Sequence, residues 1–475
     1  MSHVLISAAH KSSGKTTISM GLCAALQAQG KIVQPFKKGP DYIDPMWLAQ
    51  ASGRNCYNLD YHTMGKEELR GTFRRYMAGA DIGIIEGNKG LYDGLDLEGR
   101  NSNAALARLL KAPVVLVISA KGMTRGIAPL ILGYQAFDER VNIAGVILNK
   151  LGGKRHEGKL RAVIEHYTDV PVIGAVHEHA DLNIDERHLG LIPSNESRLS
   201  TETIQRIASH VGDQVDLGRL MEIAALAPDV DTGKYLKLVS NAKTDVRIGV
   251  ARDAAFGFYY PNDLEALQAA GAELVFFDAL HDRSLPEVDG LFIGGGFPET
   301  QAKQLAANRE LKQQIRREIE DGMPVYAECG GLMYLSRVLK WRDESHEMCG
   351  ALGLDTVMYD KPQGRGYVRV SESEDFPWQD NRTENNAVYC AHEFHYSKAE
   401  NIDEDIRFGY KMMRGFGVDG AHDGVIYKNT FASYTHLRDS EHNRWASRFV
   451  QFVRKHKGGS AKRHANNADQ RHQSL

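Results

Sequence analysis

A glycine, a lysine and two threonines stand together near the start of the chain, in the run ISAAHKSSGKTT at residues 6–17. This run ends as a phosphate-binding loop ends. Gly14 lets a phosphate approach the backbone, Lys15 can reach the outer phosphates, and the Thr16 hydroxyl can bind Mg²⁺. The motif G-x-x-x-x-G-K-[ST] begins with a glycine, where this chain has Ala9. The run predicts a site for nucleotide phosphates, with a plain strand-to-helix turn as the alternative.

Carboxylates follow two apolar runs of the first half, and Mg²⁺ bound beside phosphates needs such ligands. Glu86 ends the run DIGIIE, where its side chain can face the phosphates. Asp41 and Asp44 lie in QPFKKGPDYIDP, and the prolines on either side stiffen their loop. The alternatives are an ordinary acid at a strand end for Glu86 and a solvated turn for the two aspartates.

The second half carries a different group of reactive residues, in PVYAECGGLMYL at residues 324–335. An apolar run, Cys329, two glycines and an apolar helix start form the pattern of a nucleophile elbow, with cysteine in place of serine. Because the elbow places the thiol at a helix N-terminus, we expect its pKa to be lowered. The glycines of LFIGGGFPE can offer backbone N–H groups to an oxyanion. Three histidines could serve as the base (His392, His395 and His436), and spacing does not choose among them.

A frame of alternating strands and helices must position these residues. Apolar runs alternate with helical spacing through the first half: HVLIS, KIVQPF, DIGIIEG, PVVLVISA, VNIAGVILNK and PVIGAV. Such runs are typical of strands buried on both faces of a parallel sheet, so an α/β fold of βαβ units is predicted. The pattern restarts near Val246, which predicts a second α/β domain. Residues 226–245 between them are interpreted as a linker, and the polar residues 456–475 are predicted to be disordered.

Composition argues against several classes of function. The chain has 475 residues, of which 42% are hydrophobic and 25% charged, and its formal net charge is −3. This balance gives no electrostatic basis for binding nucleic acid or an anionic membrane, and no apolar run approaches the ~20 residues of a membrane-spanning helix. Five scattered cysteines without a C-x-x-C pair favour reduced thiols over a disulfide framework. With no signal peptide recognised at the N-terminus, a cytoplasmic location is predicted.

Nine segments together resemble one known family. They are QPFKKGPDYIDP, IIEGNKGLYDG, ERHLGL, FYYPNDLEAL, GGGFPE, ECGGLMYL, GYVRV, HEFHYS and SYTHL, and they run in order from about residue 4 to about residue 455. The chain is similar to the cobyrinic acid a,c-diamide synthase family. The resemblance implies a P-loop, ATP-dependent amide synthetase domain at residues 1–225, similar to dethiobiotin synthetase. It implies a class I glutaminase domain at residues 246–455.

The implied reaction is the amidation of the a and c acetate groups of a tetrapyrrole, with ATP, Mg²⁺ and glutamine. The resemblance makes Cys329 the glutaminase nucleophile and His436 the histidine that assists it. It makes Asn149 a weaker candidate for adenine recognition. The predicted site residues are catalytic Cys329 and His436; nucleotide-binding Gly14, Lys15, Thr16, Thr17 and Asn149; substrate-binding Asp41, Tyr42, Asp44, Tyr92 and Asp93; oxyanion-binding Gly295, Gly296 and Gly330; and metal-binding Thr16, Glu86 and Asp41.

Several points stay open at this stage. Class I glutaminases usually have H-x-E, but here Arg438 follows His436 at that spacing, so the orienting acid is missing from its usual place. Cobyrinic acid is the favoured substrate, with sirohaem or (nickel-)sirohydrochlorin as the alternatives, and a homodimer is left open. Lys37 and Lys38 suit an anionic macrocycle or form a solvated surface pair.

Three other interpretations are less favoured. A partitioning-type P-loop ATPase usually has a lysine at position 10, where this chain has His10. Such an ATPase would also leave the elbow at Cys329 unexplained. A regulatory or scaffold protein with an inactive ATPase is the second alternative, and ATP consumption that depends on a tetrapyrrole acid would distinguish both from the enzyme. A metal site at His177, His179 and His188 is rejected, because no cysteine or acid with metal-site spacing accompanies them.

Overall fold

The computed structural model describes residues 1–182, 184, 186–187, 190–196, 199–230, 243–379 and 387–457. The chain divides into two compact units, Met1–Leu236 and Lys237–Leu475. Of the predicted linker, residues 231–242 lie outside the described residues, and so do residues 458–475 of the predicted tail. Among the described helices, none is long and apolar enough to cross a membrane.

The first unit alternates strands and helices, as its apolar runs predict. Its strands are β1 His3–Ala8, β2 Val33–Lys38, β3 Tyr57–Leu59, β4 Ile82–Glu86, β5 Val114–Ser119, β6 Ile143–Leu151, β7 Val172–His177, β8 Glu186–Arg187 and β9 Gly190–Leu191. Its helices are α1 Lys15–Ala28, α2 Ile43–Ser52, α3 Lys66–Met77, α4 Asn103–Leu110, α5 Ile127–Phe137, α6 Lys154–Tyr167, α7 Ser200–Gln214 and α8 Leu217–Ala225, with a short 3-10 helix at Ala180–Leu182.

A parallel sheet forms the centre of this unit. Within its described part, seven strands pair in the order β3-β2-β4-β1-β5-β6-β7. The residues of β1, β2 and β4 are all buried, as the apolar runs of a sheet covered on both faces require. In such sheets ligands bind at the carboxyl ends of the strands. In this unit, the connection from β1 to the helix α1 lies at that end of the sheet. The predicted parallel α/β fold is confirmed here.

The second unit is a mixed α/β structure. Its strands are β10 Val246–Ala251, β11 Ala272–Phe277, β12 Gly290–Ile293, β13 Val325–Glu328, β14 Val338–Trp341, β15 Glu344–Glu347, β16 Asp355–Met358, β17 Gly364–Glu372, β18 Val388–His395, β19 Ser397–Glu400, β20 Arg407–Arg414, β21 His422–Tyr427 and β22 Thr430–Ser433. Its helices are α9 Pro261–Ala269, α10 Ala302–Ala307, α11 Arg309–Glu320, α12 Gly330–Leu335 and α13 Trp445–His456, with a 3-10 helix at Pro298–Gln301.

Its largest sheet has a parallel half and an antiparallel half. In the described residues the order is β11-β10-β12-β13-β22-β21-β20-β17-β18. The strands from β11 to β22 run parallel, and each pair from β22 to β18 is antiparallel. A smaller sheet pairs β15-β14-β16-β19. The elbow at Cys329 therefore lies at the carboxyl end of β13, in the parallel half, with β12 and β22 on either side.

Candidate active sites

The phosphate-binding loop connects β1 to α1, and Gly14 caps the helix with a φ of 82°. A Cβ at this position would lie 2.2 Å from the Asn149 amide nitrogen, so both the backbone and the space require glycine. The other left-handed residue of the loop is Ser12, with a φ of 66°, and not Ala9. Ala9 therefore fits where the motif has its first glycine.

Two residues that follow one another at the end of β6 hold this loop in place. Asn149 donates its amide N–H to the Ser13 carbonyl at 2.9 Å and accepts the Lys150 N–H at 2.9 Å. Lys150 Nζ donates to the Ser12 carbonyl at 3.0 Å. The Asn149 side chain thus supports the loop, and its part in adenine recognition stays a prediction.

A compact group of charged residues lies beside the start of α1, and we call Lys15, Lys37, Asp41, Asp44 and Glu86 the ionic cluster. Glu86 Oε1 lies 3.7 Å from Lys15 Nζ and 3.1 Å from Lys37 Nζ. Lys37 also donates a short hydrogen bond to Asp44 and lies 3.9 Å from Asp41. The structure therefore brings together residues from β2, β4 and the starts of α1 and α2.

Burial and charge act in opposite directions on the two lysines of the ionic cluster. Burial would lower the pKa of Lys37, but the carboxylates of Asp44 and Glu86 outweigh it and hold the pKa above its ordinary value. Burial lowers the pKa of Lys15, and Glu86 only partly offsets it. Lys37 is thus held as a cation by carboxylates, whereas the charge of Lys15 is only partly compensated by Glu86 at 3.7 Å, which suits an incoming phosphate.

The acidic residues and Thr16 form a set of oxygen atoms that fits Mg²⁺. Thr16 Oγ1 donates to Glu86 Oε1 at 2.7 Å and lies 3.3 Å from Asp44 Oδ2. Glu86 is fully buried, and its other oxygen, Oε2, has no hydrogen-bond partner. A buried carboxylate oxygen without a donor is costly unless a cation binds it, so the residues fit the ion.

The predicted metal set differs from this arrangement at one position. Asp41 Oδ1 accepts the backbone N–H groups of Ile43 and Asp44 at 2.9 and 3.1 Å, which caps the first turn of α2. Asp44 Oδ2 rather than Asp41 lies within hydrogen-bonding distance of Thr16. Asp44, predicted for substrate, therefore joins Thr16 and Glu86, and the place of Asp41 among the metal ligands stays a prediction.

Other residues of the predicted substrate and nucleotide groups shape the surrounding loops. Tyr42 is buried at the start of α2, and Thr17 is half-buried in the first turn of α1. Tyr92 packs against Tyr134 and donates its hydroxyl hydrogen to the Tyr134 carbonyl. Asp93 accepts the Gly90 N–H at 2.8 Å in the loop after β4. Their contact with a substrate stays a prediction.

Lys37 and Lys38 do not form a solvated surface pair, because they are only 1% and 4% exposed. Lys38 Nζ donates to the Asn88 side-chain oxygen at 2.8 Å, and burial lowers its pKa to about 8. Successive residues of β2 therefore differ in kind: Lys37 is held among carboxylates, and Lys38 is held by an amide.

The second candidate site is the turn between β13 and α12. Cys329 has a φ of 47° and a ψ of −96°, a backbone conformation that L-residues rarely adopt and that is typical of a nucleophile elbow. Its N–H donates to the Ser433 carbonyl at 2.7 Å. A Cβ at Gly331 would lie 2.2 Å from the Ile293 carbonyl oxygen, so the turn requires a residue without a side chain.

The pKa of the Cys329 thiol is raised, not lowered as the sequence predicts. Burial is the largest cause, and the carboxylates of Glu299 and Glu328 add to it. The helix that follows has only six residues, so its dipole is weak. The resting thiol is therefore protonated and needs a base to remove its proton.

The glycines predicted to bind an oxyanion lie together at this elbow. A Cβ on Gly330 would lie 3.1 Å from the Gly296 nitrogen, and a Cβ on Gly295 would lie 2.6 Å from Cε1 of His436. Any side chain at Gly295 would displace the His436 ring. The structure therefore brings the backbone N–H groups of this loop, the helix N-terminus and one imidazole to the same place.

The three candidate histidines occupy different surroundings. His436 is the one beside Gly295. His392 stacks on it, with ring centroids 4.9 Å apart, and the two residues exchange backbone hydrogen bonds. His395 stacks on Tyr434 and lies 3.7 Å from Glu393. The position favours His436 as the base.

Comparison with known proteins gives one family model in each half of the chain. Residues 5–192 match the model of the CobQ/CobB/MinD/ParA nucleotide binding domain, and residues 247–443 match that of the CobB/CobQ-like glutamine amidotransferase domain. Over 456 residues the chain is 47% identical to a cobyrinate a,c-diamide synthase of Magnetococcus marinus, which covers 95% of this chain and 97% of the relative. The chain belongs to the cobyrinate a,c-diamide synthase family.

Two further members of the cobyrinate a,c-diamide synthase family match over nearly the whole chain. The synthase of Methanosarcina acetivorans is 40% identical, covering 97% of each chain, and that of Archaeoglobus fulgidus is 40% identical, covering 96% of this chain and 98% of the relative. The predicted resemblance is confirmed. The match to a glutamine amidotransferase domain favours this family over a partitioning ATPase or a scaffold.

Two residues at the candidate sites, Glu328 and Lys37, were not predicted as site residues from the sequence. Glu328 directly precedes the nucleophile, and its Oε2 lies 3.4 Å from His436 Nδ1. Lys37 is the cation among the carboxylates of the ionic cluster. For Glu328 the available signal is an acid that ends a buried strand, whereas the usual H-x-E pattern places the acid two residues after the histidine. For Lys37 the available signal is a lysine that directly follows the apolar run KIVQPF.

The structure does not bring the three histidines of the rejected metal site together as one described group, and it places other residues beside His179. His177 pairs with Glu157 at 2.9 Å, and His188 lies outside the described residues. His179, Asp181 and His210 instead offer ligand atoms within 4.8 Å of one another. Asp181 Oδ2 lies 3.4 Å from His179 and 3.5 Å from His210, so these residues pair with one another; His179 is exposed and the other two are half-buried.

Proposed function

We propose that this protein is an ATP- and glutamine-dependent ligase that amidates the a and c acetate groups of a tetrapyrrole, with cobyrinic acid as the preferred substrate. The identity of 47% over 95% of the chain to a cobyrinate a,c-diamide synthase carries the proposal. Two features support it: the ionic cluster beside the phosphate-binding loop suits phosphoryl transfer, and the elbow at Cys329 suits the release of ammonia from glutamine. A cytoplasmic location belongs to the same proposal.

The first unit would activate the substrate carboxylate. A carboxylate oxygen attacks the γ-phosphorus of ATP, so that an acyl phosphate forms and ADP leaves. Lys15 stabilises the charge that develops on the phosphates, and the N–H groups of the loop at Gly14 bind them. Thr16, Asp44 and Glu86 would hold Mg²⁺, which supplies further neutralisation of the phosphate charge.

The second unit would supply ammonia. Cys329 attacks the side-chain amide carbon of glutamine, and the backbone N–H groups around Gly296 and Gly330 stabilise the oxyanion that forms. Ammonia leaves, and water hydrolyses the thioester to glutamate. Ammonia then attacks the acyl phosphate and displaces inorganic phosphate, which leaves the amide.

The test is a product assay with each macrocycle supplied separately: cobyrinic acid, sirohaem and nickel-sirohydrochlorin. The enzyme receives ATP, Mg²⁺ and glutamine labelled with ¹⁵N in its amide, and mass spectrometry counts the labelled amides per macrocycle. Two labelled amides on cobyrinic acid are expected. Amidation of another macrocycle alone would keep the chemistry and replace the substrate. ATP hydrolysis without amidation of any of them would refute the proposal.

A further inference from the structure

A buried glutamate lies behind the histidine of the second candidate site. Glu328 ends β13 and is 2% exposed, and His436 is 3% exposed. Glu328 Oε2 lies 3.4 Å from His436 Nδ1. We propose that Glu328 orients His436 and completes a Cys329–His436–Glu328 triad, with the acid next to the nucleophile in sequence. This inference rests on the proposed glutaminase activity.

The surroundings of Glu328 hold its carboxylate in one orientation. Its Oε1 accepts the Leu437 N–H at 2.9 Å and a short hydrogen bond from the Tyr326 hydroxyl. With Oε1 engaged by two donors, Oε2 is left to face the imidazole. Because Leu437 follows His436 directly, one carboxylate fixes both the backbone and the ring of the histidine segment.

The orientation of the ring follows from this contact. When Nδ1–H donates to Glu328, the other ring nitrogen of His436 is unprotonated and can accept a proton. The Cε1–Nε2 edge of the ring lies beside Gly295, since a Cβ there would be 2.6 Å from Cε1 and 3.5 Å from Nε2. That edge therefore faces the glycine loop of the elbow, which is where a base for Cys329 is needed.

The other residues that could orient His436 are engaged elsewhere. Arg438 occupies the position of the usual acid, and it donates to Asn262 at 3.2 Å while its guanidinium lies over the Tyr260 ring. Glu393 accepts the N–H groups of Phe416 and Gly417 at 2.8 and 2.9 Å, and its Oε2 lies 3.7 Å from His395 Nε2. Neither side chain replaces Glu328.

The proton steps give Glu328 its role. His436 Nε2 takes the thiol proton as the Cys329 sulfur bonds to the amide carbon, and the imidazolium donates that proton to the leaving nitrogen as the C–N bond breaks. Water then attacks the thioester, its proton passes to Nε2, and the thiol recovers a proton as the C–S bond breaks. The Glu328 carboxylate, 3.4 Å from Nδ1, stabilises the imidazolium in each step. Burial, with Glu299 and Glu328 adding to it, raises the pKa of the Cys329 thiol, so the thiolate forms only with the base.

The test is Glu328→Gln, which keeps an acceptor for the Leu437 N–H but removes the negative charge. The expected loss in kcat for glutamine hydrolysis is about 10²- to 10⁴-fold, with KM nearly unchanged, because binding contacts stay and imidazolium stabilisation is lost. In the variant, the fall of kcat for glutamine hydrolysis on the acidic side should occur at lower pH, because the negative charge that favours the imidazolium is gone. Amidation driven by ammonium and ATP hydrolysis should be retained, which also shows that the variant folds.

The matched control is Glu393→Gln, which neutralises another buried glutamate beside a different histidine. It should leave the pH profile of glutamine hydrolysis in place. A double-mutant cycle with His436→Ala separates orientation from a structural role. If Glu328 acts through His436, Glu328→Gln should cost nothing further in the His436→Ala background.

Three results would overturn the triad: an unchanged pH profile in Glu328→Gln, the same shift in Glu393→Gln, or losses that multiply in the double mutant. If Glu328→Gln does not fold, Glu328→Asp keeps the charge and should retain more activity than Glu328→Ala. Glutamine hydrolysis is measured without a tetrapyrrole, so a wrong macrocycle does not affect this test. Full hydrolysis by Cys329→Ala would instead refute the proposed glutaminase.

Discussion

Lys37 lies among three carboxylates, and its removal should destabilise the first unit strongly. Its Nζ contacts Asp44, lies 3.1 Å from Glu86 and 3.9 Å from Asp41, and the side chain is only 2% exposed. Replacement by methionine keeps the apolar stem but leaves the carboxylates facing one another. We expect Lys37→Met to lower the free energy of unfolding more than any surface substitution would.

The magnitude follows from the burial of the partners. Removing one partner of a buried ion pair costs about 3–5 kcal/mol, since the remaining charge is left without compensation. Glu86 is fully buried and Asp44 is 17% exposed, so both fall in this class, whereas Asp41 at 37% contributes little. At about 1.4 kcal/mol per tenfold change, the loss corresponds to roughly 10²- to 10³·⁵-fold in the opening equilibrium.

Hydrogen–deuterium exchange measures this change locally, on peptides that contain β2 and β4, with peptides of β13 as an internal reference. The matched control is Lys38→Met on the same strand, because Lys38 faces an amide and its burial disfavours the charge. Mg²⁺ should reduce the effect of Lys37→Met compared with EDTA, since the ion supplies the missing positive charge. Equal, small changes in the two variants would show that Lys37 does not compensate the carboxylates.

The remaining predictions concern activity and pH. Cys329→Ala should abolish glutamine-dependent amidation and retain amidation at high ammonium; loss of neither activity would refute the nucleophile. Lys15→Ala should stop amidation with either nitrogen donor, because it acts before ammonia arrives, and normal product formation would exclude the phosphate-binding role. Burial lowers the pKa of Lys38 from 10.5 to about 8, so the unfolded chain binds more protons between these pH values and stability should rise with pH there. The rise is at most about 3 kcal/mol. Denaturant titrations at several pH values should show that the free energy of unfolding rises with pH more steeply in wild type than in Lys38→Met. Equal pH dependence in the two proteins would contradict the shifted pKa.

The sequence predicts the local motifs of both sites well, because each is continuous in the chain. The loop that contains Gly14 and Lys15 joins a buried strand to a helix, and the elbow at Cys329 does the same. Such strand–turn–helix units depend on a few glycines and on apolar runs, which are visible without any long-range contact. The structure shows both turns at the expected residues.

The residues that the sequence did not assign act through partners far away in the chain. Asp41 and Asp44 are both acids of one loop, and only the helical turn decides that Asp41 caps the backbone while Asp44 approaches Thr16. Glu328 meets His436 across more than a hundred residues. Spacing along a chain carries no information on such contacts unless a family motif already records them.

In both units, the register of neighbouring strands brings these residues, which are far apart in the sequence, into contact. In the first sheet Glu86 pairs in register with Ile6 of β1 and with Lys37 of β2, so one acid is placed beside the phosphate-binding strand and the buried cation. In the second sheet Glu328 pairs with Ser433 of β22, and the chain leaving β22 reaches His436 three residues later. Because side chains alternate between the faces of a strand, a slip of one residue would turn either acid to the opposite face. The apolar residues that fix each register therefore also fix the chemistry at the carboxyl end of the strand.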